Sequence, residues 1–240
     1  FKQKTAYEML RSLVGSEMCI RDRVYDEVIE VAEEIALEKN AELFTVGVPL
    51  VGTLDIQTSI QAKGTHKGHP YEVLKKIAKQ KGWADYLIDN VVVALQALDI
   101  LDINYDINDL LSLELFGRFY ALTDNIRIDV GHNPLAAKAI EKALDEKVVL
   151  IYNSLDDKDY EEVLRILKPK VKRVEIIPIE SQRATTLEAI EKALDKVGIE
   201  YNYFDKKIDK DEHYLVFGSF YVVEAFLKQV DEPTLRNNKI

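Results

Sequence analysis

Apolar and polar positions in the first part of this chain follow a helical spacing. Apolar residues recur at this spacing between Val24 and Ala36, with glutamates between them, which predicts an amphipathic helix that ends near Asn40. A short strand is predicted at residues 42–48 and a loop at residues 49–70. Three more helices are predicted at residues 71–81, 83–100 and 107–113.

Farther along the chain, short apolar runs alternate with amphipathic segments. Strands are predicted at residues 126–130, 148–153, 173–179, 201–204 and 214–217. Helices are predicted at residues 134–144, 159–167, 186–197 and 221–230. Strands that alternate with helices indicate an α/β fold with a mainly parallel sheet that is covered by helices on both faces.

Composition narrows the class of protein. The net charge of −10 over 240 residues argues against a general nucleic-acid binder, which needs a basic face. No apolar run is long enough to span a bilayer, so we expect no membrane partner. A single cysteine, Cys19, rules out an internal disulfide and fits a reducing compartment. We therefore expect a cytoplasmic protein, and we expect it to be a monomer.

Polar residues gather where one predicted strand runs into a helix. Asp129, His132 and Asn133 follow the strand, and Pro134 opens the helix, where proline is best tolerated. Arg118 lies shortly before this strand. In an open α/β sheet, ligands bind at the carboxyl ends of the strands. These side chains together suit a nucleotide and its metal ion.

Each of these residues also has a structural explanation. A carboxylate such as Asp129 in an apolar strand needs partners, and a nucleotide ribose, a metal-bound water or the N-cap of a neighbouring helix would serve. Asn133 is a natural N-cap residue, and a single histidine such as His132 is more often structural than catalytic. Arg118 could bind phosphate oxygens in a bidentate manner or lie at the surface beside a buried phenylalanine.

The order of several motifs gives a family resemblance. A G-R-F segment at 117–119 precedes D-V-G-H-N-P at 129–134, and then come the acidic segment 156–159 and the G-S-F segment 218–220. Over about residues 83 to 230 the chain resembles the C-terminal domain of folylpolyglutamate synthase/dihydrofolate synthase, in the Mur ligase superfamily. The resemblance implies a Rossmann-like sheet of the type found in that domain.

The resemblance also implies roles for individual residues. It implies that five residues bind the nucleotide: Asn90, Arg118, Asp129, His132 and Asn133. It adds Asp157, Lys158 and Ser219 as substrate contacts. It implies that His132 binds or positions the nucleotide rather than acting as a general base, and it identifies no metal ligand in the chain.

Alternatives remain for the residues that the resemblance assigns. Asn90 could be an exposed helical amide, and Ser219 could belong to a backbone turn. The acidic segment could cap the next helix, with Asp157 or Lys158 at its boundary.

The activity that the resemblance implies is an amide ligation that requires ATP and Mg²⁺. ATP phosphorylates a carboxylate of dihydropteroate or of a folate glutamate tail, and the amine of L-glutamate attacks the acyl phosphate. The N-terminal P-loop of such ligases has no match in this sequence, and residues 64–68 do not fit its pattern. We therefore interpret residues 24–82 as a remnant of the N-terminal ATPase domain with its linker and residues 83–240 as the C-terminal ligase domain.

Two further interpretations concern the first residues and the rival functions. Residues 1–23 resemble translated sequencing-adapter read-through, although a genuine helix at residues 5–13 is the alternative. A muramyl-type cell-wall ligase is a rival function, but such ligases tend to carry a D-D-Y-A-H-N-P-like string where this chain has D-V-G-H-N-P. A stand-alone nucleotide-binding α/β module without catalysis and a generic α/β domain whose polar turn residues are only caps are the other rivals.

Overall fold

The computed structural model describes residues 26–40 and 70–230. Its contacts divide the chain into two compact units, Phe1–Leu113 and Glu114–Ile240. The segment 1–23, the strand predicted at residues 42–48 and all but the last residue of the loop predicted at residues 49–70 lie outside the described residues. The interpretation of residues 24–82 and 83–240 as parts of two ligase domains stays a prediction.

The first unit is helical in its described part. Its helices are α1 (Asp26–Lys39), α2 (Pro70–Lys81), α3 (Asp85–Ile100) and a 3-10 helix (Ile107–Ser112), which confirms the helices predicted there. The helix α1 is followed by Asn40, whose φ of 50° suits a residue just past a helix end. Six buried residues form the core of α2, α3 and the 3-10 helix: Leu74, Ile77, Val91, Val92, Leu95 and Ile107.

The second unit contains a six-stranded sheet. Its strands are β1 (Tyr120–Ala121), β2 (Ile126–Asp129), β3 (Val148–Tyr152), β4 (Val171–Ile176), β5 (Tyr201–Tyr203) and β6 (Tyr214–Phe217). Their order is β1-β2-β6-β3-β4-β5, and every neighbouring pair is parallel except β1 with β2. The mainly parallel sheet is therefore confirmed, whereas the two-residue strand β1 was not predicted.

Helices cover the two faces of this sheet. They are α4 (Pro134–Ala143), α5 (Tyr160–Leu167), α6 (Leu187–Val197) and α7 (Phe220–Gln229). On one face, Ile128, Val149 and Val216 share a core with Val222 and Phe226 of α7. Since successive side chains of a strand alternate between faces, the neighbouring Leu150 and Phe217 point to the opposite face. Helix α4 packs against α5, and α5 packs against α6.

Polar side chains mark the starts of the four α-helices in the described part of the second unit. The N-caps are Asn133, Asp159, Thr186 and Ser219, and each side chain accepts a hydrogen bond from a backbone N–H of the first turn. The cap of α5 is therefore Asp159, and the expectation of Asp157 or Lys158 at this boundary was wrong. Helix α6 ends at Gly198, which adopts a left-handed φ of 74°.

Candidate functional site

The register of the sheet aligns the ends of its three central strands. Asp129 of β2 pairs with Phe217 of β6, and Phe217 pairs with Tyr152 of β3. The segments that follow these residues therefore leave the sheet at the same level, at its carboxyl edge. Three segments meet there: 130–133, 218–219 and 153–158. Sequence-predicted residues that are far apart in the chain are thus brought to one edge.

The carboxylate of Asp129 is bound by backbone N–H groups. Its side chain is buried, with 1% of the residue exposed. Its Oδ2 accepts a hydrogen bond from the N–H of Phe119 at 2.8 Å, and its Oδ1 accepts one from the N–H of Gly131 at 2.7 Å. Backbone partners within the protein therefore account for the burial of this carboxylate. The bonds also tie the turn that contains Arg118 to the end of β2.

The turn around Arg118 is held on both sides. The N–H of Arg118 donates to the carbonyl of Leu115 at 3.1 Å, and the carbonyl of Gly117 accepts from the N–H of Val130 at 2.9 Å. Gly117 and Phe119 have φ angles of 76° and 47°. The left-handed conformation costs a residue with a Cβ about 1–2 kcal/mol, so Phe119 stays in it because neighbouring contacts hold it there. Arg118, half-buried, is presented between two fixed residues.

The imidazole of His132 is half-buried at this edge. Burial lowers the pKa of His132 below its ordinary value, Lys158 and Arg118 lower it further, and the carbonyl of Val130 and Asp157 act in the opposite direction. These influences place Arg118, Asp157 and Lys158 within electrostatic range of the ring. The carbonyl of Val130 lies 3.2 Å from Nδ1. Because a carbonyl can only accept, Nδ1 donates to it, and in the neutral ring Nε2 is then an acceptor.

An ion-pair cluster follows β3. The guanidinium Nη2 of Arg183 donates to both carboxylate oxygens of Asp157, at 2.7 and 2.8 Å, and Lys158 Nζ lies 3.0 Å from Oδ2. These two cations lower the pKa of Asp157 from 3.8 to about 2. Sequence reasoning missed Arg183. It lies 26 residues from Asp157, and no periodic pattern connects the two positions.

Backbone hydrogen bonds hold the two loops of this cluster together. The N–H of Asp156 donates to the carbonyl of Arg183 at 2.8 Å, and the N–H of Thr185 donates to the carbonyl of Ser154 at 2.9 Å. Leu155 and Ala184 form an isolated antiparallel bridge between them. The position of Arg183 beside Asp157 is thus set by the backbone as well as by the ion pair.

Gly218 and Ser219 connect β6 to α7, and at Gly218 this connection passes close to the backbone of Asn153. Gly218 has a φ of 133°, and a Cβ at this position would lie 2.1 Å from the carbonyl oxygen of Asn153. Ser219 is buried, and its hydroxyl accepts a hydrogen bond from the N–H of Val222 at 3.3 Å. The structure therefore gives Ser219 a capping role, and its contact with substrate stays a prediction.

The remaining predicted residues have simpler positions. Asn133 accepts a hydrogen bond from the N–H of Ala136 at 2.8 Å through its side-chain oxygen. Asn90 is half-buried in α3 of the first unit, and its contact with a nucleotide stays a prediction. Within residues 26–40 and 70–230, no three His, Cys, Asp or Glu side chains are grouped so as to hold a metal ion. No helix of this described part is long and apolar enough to cross a membrane.

Solved structures share this fold. Folylpolyglutamate synthetase from Helicobacter pylori is 33% identical to this chain, with a TM-score of 0.54 and a match that covers 84% of this chain and 50% of that one. The chain resembles folylpolyglutamate synthases. A folylpolyglutamate synthase from Mycobacterium tuberculosis, solved in complex with ADP, shares the fold at 22% identity and a TM-score of 0.50, over 61% of this chain and 40% of that one.

The extent of the match to these synthases is partial. The chain spans about half the length of the Helicobacter pylori folylpolyglutamate synthetase. Neither protein-family models nor curated protein sequences give a match to this chain. The resemblance inferred from the ordered motifs is nevertheless confirmed by structure, and so is the α/β fold that it implied.

The close approach of β6 and β3 predicts a position-specific effect of adding one methyl group. Gly218→Ala would force the new Cβ against the carbonyl of Asn153 and should lower the free energy of unfolding by about 3 kcal/mol. Gly198→Ala is the matched control. Its φ is also left-handed, but the new Cβ meets only Lys168 Nζ at 3.4 Å, so a loss of about 1 kcal/mol is expected. Urea denaturation measures both, and equal losses would contradict the packing described here.

The ion-pair cluster predicts a measurable pKa change. Arg183→Met should raise the pKa of Asp157 from about 2 toward 3.8, because the stronger of its two cationic partners is lost. Because the folded-state pKa is lowered, the pair stabilises the wild-type fold above 3.8, and this contribution disappears as the pH falls toward 2. Carboxyl NMR titration measures the change. Arg165→Met, on α5, is the control and should leave the Asp157 titration unaltered, and an unaltered titration in Arg183→Met would disprove the assignment.

Proposed function

We propose that this chain is the C-terminal part of a ligase that uses ATP and Mg²⁺ to join L-glutamate to dihydropteroate or to the glutamate tail of a folate. One observation carries the proposal, namely the 33% identity to folylpolyglutamate synthetase over 84% of this chain. In the proposed reaction, ATP phosphorylates the acceptor carboxylate, and the amine of glutamate displaces phosphate from the acyl phosphate. Such a reaction depends on positioning and charge neutralisation.

The carboxyl edge of the sheet supports the nucleotide part of this proposal. Helices α4, α5 and α7 all begin there, and helix N-termini favour anionic groups. We propose that Arg118 binds the phosphate oxygens of the nucleotide, because a guanidinium can bind them in a bidentate manner. We propose that His132 Nε2 forms a hydrogen bond with the nucleotide. Asp129 and Asn133 hold the surrounding backbone, and Asn90 is the proposed adenine contact.

The substrate part rests on the neighbouring loops. We assign Lys158 and Ser219 to the carboxylates of glutamate or of the folate tail. Asp157, held by Arg183, orients Lys158 for this contact. We assign Mg²⁺ to the nucleotide phosphates and to the P-loop of the ligase, a pattern that has no match in the present sequence. We also propose that the protein is cytoplasmic and monomeric.

Nucleotide binding by the chain tests the proposed role of Arg118. We expect the wild-type chain to bind ADP in the presence of Mg²⁺, and we expect Arg118→Met to weaken the affinity by about tenfold, the effect of losing a hydrogen bond to a charged group. Isothermal titration calorimetry measures the affinity, and Arg165→Met should bind as the wild type does. Binding that is independent of both Mg²⁺ and Arg118 would instead favour an α/β module whose polar turn residues are only caps.

Catalysis by the isolated chain is a separate test. We expect negligible glutamate-dependent phosphate release from ATP and dihydropteroate, because the P-loop that holds the transferred phosphate is not in the sequence. A phosphate-release assay with and without glutamate measures this. Steady turnover by the pure chain would mean that it carries a complete catalytic site, and the proposed division of labour between two domains would be wrong.

A further inference from the structure

The residue that follows Arg118 contacts two polar residues of β2. Tyr120 of β1 pairs with Ile128 of β2 in antiparallel register, so Phe119, one residue before β1, faces Asp129. Arg127 and Asp129 are two residues apart on β2 and therefore project from the same face of the sheet. Phe119 is the diagonal neighbour of Arg127 across this pair of strands, and a side chain as long as that of Arg127 can reach it.

Phe119 is held through its N–H, its carbonyl and its ring. Its N–H donates to Asp129 Oδ2 at 2.8 Å, and its carbonyl accepts from Arg127 Nη1 at 3.3 Å. The guanidinium carbon of Arg127 lies 4.7 Å from the centroid of the Phe119 ring, in a cation–π arrangement. Phe119 itself is 6% exposed. We call Arg127 and Asp129, in contact with Phe119 in this way, the Phe119 clamp.

The conformation of Phe119 explains why a clamp is required. Its φ of 47° lies in the left-handed region, which residues with a Cβ avoid. Residues in such conformations persist only where their surroundings hold them. Without the guanidinium, the carbonyl and ring of Phe119 lose their partner, and the backbone can relax toward an ordinary φ. Such a rotation, directly after Arg118, would redirect the Arg118 side chain.

We propose that Arg127 is a positioning residue, which fixes the left-handed backbone of Phe119 and thereby presents Arg118 to the phosphates of a bound nucleotide. The consequence for binding rests on the proposed function, whereas the clamp itself rests on contacts within the chain. Arg127 does not contact the ligand in this proposal. It acts through Phe119, and Asp129 acts with it from the other end of the same residue.

The first experiment measures the clamp without any ligand. In Arg127→Met, which keeps an unbranched side chain but removes the guanidinium, amide hydrogen exchange at Phe119 should accelerate by about tenfold or more relative to the wild type. The amides of Ile151 and Val216, in the central strands, should keep their wild-type protection and report that the sheet is intact. Arg165→Met, as the control, should alter none of these rates.

The second experiment measures the consequence for Arg118. Affinity for ADP with Mg²⁺ should fall by about tenfold in Arg127→Met, as in Arg118→Met, and the double variant should bind no more weakly than either single variant. A merely structural role would give losses that add. Arg127→Lys keeps a cation and a donor and should fall between the wild type and Arg127→Met in both experiments. A lysine variant no better than methionine would show that the cation does not hold Phe119.

The outcomes separate the two proposals. If the wild-type chain binds no ADP, the nucleotide-binding proposal fails, and the exchange rates still decide whether the Phe119 clamp exists. Unchanged protection of Phe119 in Arg127→Met overturns the clamp. Faster exchange with unchanged ADP affinity overturns the positioning of Arg118. If Arg127→Met loses protection at Ile151 and Val216 as well, Arg127→Lys replaces it in both experiments and is judged by the same outcomes.

Discussion

A buried carboxylate organises the carboxyl edge of this sheet. Removing the charge of Asp129 from water costs several kcal/mol, and charge-assisted hydrogen bonds from the N–H groups of Phe119 and Gly131 offset this cost. Both donors belong to irregular backbone that no regular ladder would satisfy. The same bonds therefore stabilise the charge and fix two turns, one before β1 and one after β2. Arg118 and His132 both depend on these turns for their positions.

Positively charged side chains lie at this edge although the chain is acidic overall. Arg118, Lys158 and Arg183 lie near His132 or Asp157, and their effects on the two pKa values show that their fields reach the site. In a protein with a net charge of −10, these cations thus lie among carboxylates such as Asp129 and Asp157, and their positive field acts on His132 and Asp157. Helix N-termini strengthen it without adding formal charge. Local arrangement, and not total composition, decides which ligands such an edge attracts.

Regular elements could be predicted from the sequence because their spacing is local. The strands and helices of the second unit were predicted with small differences at their ends, and the ordered motifs located Arg118, Asp129 and His132. The two-residue strand β1 is too short to carry a pattern. The cap of α5 was misplaced because three aspartates within four residues all satisfy the preference for an N-cap.

Contacts between distant parts of the chain could not be predicted in the same way. The left-handed Phe119 carries no signal, since phenylalanine does not favour that conformation. Arg183 meets Asp157, and Arg127 meets Phe119, only after strand order and register are fixed. The sequence therefore indicated which functional side chains are present, while the order and register of the strands determine which of these side chains contact each other.

The strand order also determines when the sheet can be completed during synthesis of the protein. The strand β6 is the last of the six to leave the ribosome, yet it lies between β2 and β3. Until it inserts, the nascent chain holds two apolar strand edges without their central neighbour, a state in which β-rich intermediates are prone to associate. The two loops that flank the candidate site come together only when this final strand arrives. Assembly of the site therefore waits for the strand that is synthesised last of the six.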